Sequence, residues 1–239
     1  MRIDIATLFP QMCDSVLGAS ILGRAIRSGA VDIRTHDIRL YTENKHRRVD
    51  DKPYGGGTGM VIQAQPVYDC VMAILAQHRV KPRIIYMSPQ GEVLTQSKVK
   101  ELSEEDGLIL LCGHYEGIDN RVLEELEVEE LSVGDYVLTG GELPALIVAD
   151  AVSRLIEGVL PNEDAYSIES HYNGLLEFPQ YTRPEEWRGR KVPKTLLSGN
   201  HKNVREWQER AALEITREKR PDMYERYVEE HSAEKKGDK

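Results

Sequence analysis

The sequence has no CxxC pair and no apolar run of membrane-spanning length. It also lacks both common glycine fingerprints for nucleotides. Its three cysteines, Cys13, Cys70 and Cys112, are odd in number and widely spaced. That excludes a disulfide framework and a cysteine zinc site, and fits a reducing, cytoplasmic compartment. Cys112 precedes His114 by two residues, as a nucleophile pair could, although a buried thiol at a strand end is the simpler reading. Asp4 interrupts the apolar character of Met1–Ile5, so neither a signal peptide nor a membrane helix is expected. The glycines of Tyr54-Gly55-Gly56-Gly57-Thr58-Gly59-Met60 are followed by no Lys-Ser or Lys-Thr pair and do not open a helix after a strand. What remains is a loop rich in glycine, following the charged run Lys45–Asp51, that would close over a substrate. No internal repeat or low-complexity tract is found.

What is present is a chain of 239 residues, 40% hydrophobic, long enough for one large or two modest domains. The net charge of -9 argues at first against a polyanionic partner, but the acids are concentrated. Between Glu101 and Glu130 there are 11 acids and the single base Arg121, leaving 30 bases and 29 acids elsewhere. Basic clusters at Lys45, Arg47, Arg48 and at Arg183, Arg188, Arg190, Lys191, Lys194 suit phosphate contacts; a solvated surface carries similar clusters.

Apolar and β-branched runs at Ile3–Leu8, Val31–Ile38, Arg83–Met87, Leu108–Cys112 and Val128–Val133 predict strands. They alternate with helical patterns at Met12–Arg27, Pro66–Gln77, Thr95–Leu102, Asn120–Leu126 and Leu143–Ile156. Such alternation predicts an α/β fold with a mainly parallel sheet and ligand loops at the carboxyl ends of its strands. Periodicity fails from Gly158 to Pro179, which reads as a linker. Asn203–Lys219 and Asp222–Glu230 are again helical, and the last residues should fray.

Two glycine clusters fall at predicted strand ends. One is Gly113-His114-Tyr115-Glu116-Gly117-Ile118-Asp119; the other is Ser132–Pro144, where three glycines and a proline stand where stability alone would favour alanines. Together they could present backbone donors and acceptors to one ligand. Arg154, on the helix that follows, is a surface or ion-paired arginine, or a guanidinium held near the loops to stabilise developing negative charge. Glu163, Asp164 and Glu169 lie in the linker beside Ser170 and His171.

Three segments, CGHYEGIDNR at 112–121, SVGDYVLTGGELPAL at 132–146 and GLLEFPQYTRP at 174–184, resemble the TrmD family of bacterial tRNA (guanine-N1)-methyltransferases. The resemblance begins at RIDIATLFP, passes through VDDKPYGGGTGMV and extends into SGNHKNVREWQ, so it covers nearly the whole chain. It implies a SPOUT-type fold: a methyltransferase domain over 1–160 with a deep trefoil knot at roughly 85–160, a linker at 161–176 and a small helical tRNA-binding domain at 177–239. It further implies S-adenosyl-L-methionine bound in the knot. The backbone of Gly113, Val133, Gly134, Tyr136 and Leu138 would hold adenine and ribose. Tyr115, Glu116, Gly117, Asp135, Val137, Gly140, Gly141 and Pro144 would shape the pocket, with Ser88 and Pro89 as the remaining wall.

The acceptor so implied is N1 of the guanine immediately 3′ of a tRNA anticodon. Neutral guanine N1 carries a proton, so a base must remove it while charge on O6 is stabilised. Matching the family pattern puts Arg154 at O6 and Glu169 at the base, a position where the family usually carries aspartate; Asp164 is a second candidate outside the register. The family is dimeric, and a linker carboxylate of one subunit would complete the site around the knot of the other, with Glu169 acting on a guanine held near Arg154 of the partner. Phosphate contacts are assigned to Arg183, Arg188, Arg190, Lys191, Lys194, His201, Lys202 and Arg205. From 183 to 205 seven bases oppose only Glu185 and Glu186, a local net charge of +5 despite the acidic total. The resemblance allows a Mg2+ ion in activating guanine, while no cluster has the spacing of a metal cage. The alternatives are a SPOUT enzyme acting on ribosomal RNA and a noncatalytic knotted RNA-binding module.

Overall fold

The computed structural model describes residues 1–161 and 164–237. The chain divides into two compact units, Met1–Asn162 and Glu163–Lys239. The first contains β1 (Arg2–Thr7), α1 (Pro10–Leu17), α2 (Ser20–Ser28), β2 (Asp32–Asp37), β3 (Asp50–Asp51), β4 (Val61–Ile62) and α3 (Ala64–Leu75). There follow β5 (Arg83–Val93), α4 (Gln96–Ser103), β6 (Gly107–Cys112), α5 (Asn120–Glu125), β7 (Glu129–Ser132) and α6 (Glu142–Ser153).

Five strands form one parallel sheet in the order β2-β1-β6-β5-β7. All six residues of the central β6, GLILLC, are buried. A parallel strand covered on both faces reads as a continuous apolar run rather than an alternation, and β6 does. On one face Ile3, Ile5, Leu108 and Leu110 pack with Cys13, Leu22, Leu102, Leu146 and Val148 from α1, α2, α4 and α6. On the other, Ala6, Ile84, Ile109 and Leu111 meet Val67, Val71, Ile74 and Val122 from α3 and α5. Truncating one such isoleucine or leucine to alanine costs about 2 to 5 kcal/mol, because the cavity left behind collapses only in part.

Two elements depart from the sequence expectation. The helix expected over Met12–Arg27 is two helices, because Gly18 and Ala19 break it; a side chain at Gly23 would stand 2.3 Å from the Gly18 carbonyl oxygen, so the chain crosses itself closely there. The strand expected to stop at Met87 continues to Val93 through an irregularity in which Met87 and Glu92 both pair with Leu131. The backbone of Ser88–Gly91 is thereby pushed out of the ladder at the carboxyl end of the sheet.

The second unit holds α7 (Asp164–Ser167), β8 (Glu186–Trp187), β9 (Arg190–Lys191), α8 (His201–Lys219) and α9 (Pro221–Gly237). Leu175, Phe178 and Ala212 form its small core with Trp207 and Tyr227. Thr216 Oγ1, buried in that core, donates to the Ala212 carbonyl at 2.6 Å and accepts from the Leu176 amide at 2.8 Å. His171 N–H bonds the Leu175 carbonyl at 2.8 Å, so residues read as linker are organised within this unit. Asn200 caps α8, its side chain accepting from the amides of Lys202 and Asn203. Among the described residues no helix is long and apolar enough to cross a membrane.

Candidate active site

The carboxyl ends of β5, β6 and β7 converge on a cavity of about 240 Å³. Its walls come from Met87-Ser88-Pro89, from Gly113–Gly117, and from Leu131–Val133 with Tyr136–Gly141 and Pro144. The two glycine clusters meet in space: Gly141 N–H donates to the Gly113 carbonyl at 2.8 Å, and His114 forms an isolated bridge with Gly140. A side chain on Gly141 would lie 2.7 Å from the Cys112 Cα and 3.0 Å from the Gly113 amide nitrogen. Packing of main chain on main chain therefore requires this glycine, contrary to the expectation that stability would favour alanine there.

Thirteen residues named from sequence share this lining: Ser88, Pro89, Gly113, Tyr115, Glu116, Gly117, Val133, Tyr136, Val137, Leu138, Gly140, Gly141 and Pro144. Gly134 and Asp135 do not. Gly134 (φ +149°) turns the loop, its amide and carbonyl both bonded to Ser132 Oγ at 3.2 and 2.9 Å, while Asp135 is exposed. Sequence reasoning missed Tyr86, Met87, His114, Leu131, Ser132 and Thr139; Met87 adjoins a named residue, His114, Ser132 and Thr139 lie within quoted motifs, and Tyr86 and Leu131 fall only within predicted strands. Burial raises the pKa of Tyr86.

The lining fits a cationic ligand with a flat apolar portion. Glu116 supplies a carboxylate, Leu131, Val133, Val137, Leu138 and Pro144 supply apolar surface, and the glycines leave main chain uncovered. His114 Nδ1 is buried with no hydrogen-bond partner among the described residues, a nitrogen that a polar ligand group or ordered water would satisfy. The Glu116 amide donates to the Met60 carbonyl at 3.0 Å, and Ile62 N–H to the Gly117 carbonyl at 2.9 Å. These bonds attach the end of the 54–59 glycine loop to the cavity rim.

Behind the His114–Gly140 wall a second cavity of about 160 Å³ is lined by Phe9, Met12, His114, Thr139, Gly140, Glu142 and Leu143. Glu142, 3% exposed at the start of α6, accepts from Thr7 Oγ1 at 2.7 Å. Outside this cavity Phe9, Met12 and Val16 of the α1 region and Leu143 and Ile147 of α6 leave large apolar side chains exposed on two helices that pack together.

Arg154 does not line the cavity. It caps the carboxyl end of α6, its amide bonded to the Asp150 carbonyl at 3.1 Å. Ten residues of helix separate it from Pro144, about 15 Å along the axis. Glu169 belongs to the second unit, in a turn after α7, with its amide bonded to the Tyr166 carbonyl at 3.1 Å. Glu163 and the side chain of Asp164 lie outside the described residues. The eight basic residues assigned to phosphate are all exposed: Arg183 before the hairpin, Arg188, Arg190 and Lys191 on it, Lys194 after it, and His201, Lys202 and Arg205 at the start of α8. Cys112 is fully buried in β6 and burial pushes its thiol well up, so it makes no nucleophile pair with His114. Among the described residues no group of three or more His, Cys, Asp and Glu is placed to hold a metal ion.

A parallel-sheet unit with its ligand cavity at the strand ends, followed by a separate unit that carries the basic stretch 183–205, defines an α/β protein built to act on a ligand. The family model described as tRNA (Guanine-1)-methyltransferase TrmD matches residues 1–226. A tRNA (guanine-N(1)-)-methyltransferase of Ruminiclostridium cellulolyticum is 56% identical over 224 residues, covering 94% of this chain and 96% of that one. One of Lachnospira eligens is 52% identical over 234 residues, covering 98% and 99%. A third, of Clostridioides difficile, is 48% identical over 227 residues, covering 95% and 98%. The chain belongs to the TrmD family of tRNA (guanine-1)-methyltransferases.

Proposed function

We propose that this protein transfers a methyl group from S-adenosyl-L-methionine to N1 of the guanine immediately 3′ of a tRNA anticodon. The observation that carries the reading is the joining of the two family motifs, through Gly141 and Gly113, into one cavity with uncovered main chain and a single carboxylate, Glu116. S-adenosyl-L-methionine, when bound there, supplies an electrophilic methyl group. The main chain of Val133, of residues 136–141 and of residues 113–117 would hold adenine and ribose, and the Glu116 carboxylate would complement the ligand's positive charge. The path from β7 at the sheet edge to α6, packed against α1 and α4, supports threading of residues 85–160 as a trefoil knot.

Glu169 takes the proton from guanine N1, freeing its lone pair, and the Arg154 guanidinium offsets charge growing on O6. The length of α6 between Pro144 and Arg154 favours a homodimer in which Arg154 serves the cavity of the other chain. This revises the arrangement implied by resemblance, in which Arg154 and the cofactor share a subunit. The exposed apolar face of Phe9, Met12, Val16, Leu143 and Ile147, directly behind the cavity wall, suits contact with a second copy. The basic stretch 183–205 meets the phosphates of the anticodon stem-loop. Free, buried cysteines suit a cytoplasmic protein.

The test is transfer of labelled methyl from S-adenosyl-L-methionine to tRNA bearing guanine 3′ of the anticodon, beside the same tRNA with adenine there and beside ribosomal RNA. Label confined to the guanine tRNA supports the reading. Tight tRNA binding without transfer overturns it in favour of a noncatalytic module, and label in ribosomal RNA overturns the substrate.

A further inference from the structure

The β8–β9 hairpin has two chemically different faces. Its register pairs Glu186 with Lys191 and Trp187 with Arg190. Residues directly opposite in an antiparallel pair project to the same side, and successive residues to opposite sides. On one side Lys191 Nζ lies 3.4 Å from Glu186 Oε2, so the charges offset one another. On the other are Trp187, 60% exposed, and Arg190. The two-residue turn adds Arg188, whose guanidinium carbon lies 5.0 Å from the Trp187 ring centroid. Among the described residues neither Arg188 nor Arg190 has a carboxylate in ion-pairing range. Arg188 and Gly189 both have left-handed backbone, at φ +52° and +78°, the pairing a tight two-residue turn requires, so the tip is short and defined.

We propose that Trp187 is a stacking platform for an unpaired base of the tRNA, with Arg188 and Arg190 holding the phosphates on either side of it. The inference rests on the tRNA reading above and names a residue and contact class that reading does not include. A large exposed indole flanked by cations with no carboxylate partner is what single-stranded RNA recognition needs: every base offers a face to stack on, and every linkage offers a negative charge. A paired stem hides its base faces. The occupant is therefore the single-stranded part of the anticodon arm, and the mostly positive 183–205 stretch around the hairpin matches its charge.

The chain holds two tryptophans, so full-length Trp207→Phe leaves Trp187 as the sole indole reporter. Titrating it with a synthetic anticodon stem-loop should quench that emission, whereas a blunt RNA duplex of the same length should not. Trp187→Ala should weaken stem-loop binding roughly 5- to 100-fold and raise KM for tRNA, with kcat at saturating tRNA within about twofold. Trp187→Phe should recover most of the loss, which a merely unfolded hairpin would not allow. The slope of log K against log salt should stay unchanged in Trp187→Ala and shrink by about 0.7 in Arg190→Ala. Equal quenching by the duplex, or unchanged affinity in Trp187→Ala while tRNA is still methylated, overturns the platform and leaves the proposed activity standing. Failure of the unsubstituted chain to methylate tRNA removes both.

Discussion

Thr7 Oγ1 donates a hydrogen bond to Glu142 Oε1 at 2.7 Å across 135 residues of sequence, joining the end of β1 to the first turn of α6. The same Thr7 oxygen accepts the Phe9 amide at 2.8 Å, so one hydroxyl fixes both the entry to α1 and the carboxylate behind the cavity wall. Glu142→Ala leaves Thr7 without its acceptor and opens space beside Gly140. We expect a loss of about 2 kcal/mol in urea unfolding and weaker S-adenosyl-L-methionine binding by calorimetry. A variant with unchanged unfolding midpoint would show that the bond is structurally idle.

Gly141 tests whether the cavity floor is packed as tightly as its geometry implies. Gly141→Ala forces a Cβ against the Cys112 and Gly113 main chain, which has no flexible end to yield. The expected cost is about 1 to 3 kcal/mol, with S-adenosyl-L-methionine affinity falling at least tenfold, both measurable by thermal shift and titration. Retained affinity and stability would mean that the two loops part more readily than their hydrogen bond suggests.

Asp4 is fully buried on the sheet yet accepts from Arg2 at 2.8 Å, with His36 Nε2 at 2.7 Å and His78 Nε2 at 2.8 Å from its oxygens. Burial by itself pushes its pKa up, but the hydrogen bonds from His36, Arg2 and His78 outweigh that and hold the carboxyl at about 2, below its ordinary 3.8. A depressed folded value means stability fully present above about pH 4 and lost as pH falls toward 2. The contribution is about 2 kcal/mol. Unfolding free energies of the wild type between pH 5 and 2 should fall more steeply than those of Asp4→Asn, and parallel slopes would contradict the linkage.

Mixed dimers decide where Arg154 acts. Arg154→Ala combined with a chain whose cavity is blocked at Gly117 should regain methyl transfer if Arg154 serves the other chain's cavity, since one complete site forms per mixed dimer. No recovery from chains that still associate would return Arg154 to its own cavity. Arg154→Ala alone should lose about 3 kcal/mol of transition-state stabilisation with little change in cofactor affinity.

The thiols should be silent in the folded protein. Cys13 and Cys70 are pushed up to about 11 and about 12, first by burial and then by nearby acids, and Cys112 lies deeper still. An aromatic disulfide reagent should label none at pH 8 until denaturant is added. Prompt labelling of Cys112 would revive a chemical role for it.

Much of this was legible in the sequence because periodicity and glycine placement report directly on local geometry. The five strands of the large sheet were each anticipated within a residue or two at their starts, and both glycine clusters could be placed at strand ends. What could not be read was set by backbone conformation and close approaches that the apolar pattern does not report. Gly18 and Ala19 break a helix whose apolar pattern runs on unbroken, because the interruption follows from the close approach of Gly23. The β8–β9 hairpin turns on Arg188-Gly189 rather than Asn-Gly or Asp-Gly, so its strongest local signal is missing. Gly134 falls within the motif but turns the loop rather than facing the cavity, a distinction that depends on Ser132 reaching back to it. Arg154 follows the glycine loops closely in sequence, yet it caps the far end of α6 and is not among the residues that line the cavity, a separation that nearness in sequence does not report.

The excursion of β5 at Ser88–Gly91 has a further consequence. The strand pairs with β7 on both sides of the excursion, at Met87 and again at Glu92 and Val93, so both ends of this cavity wall are anchored to the same neighbour. A residue inserted or removed between them would either slip Glu92–Val93 by one place, turning each side chain to the opposite face, or draw the wall away from the ligand. The length of this segment is therefore more tightly constrained than its composition. Relatives that diverge in the residues here should keep their number.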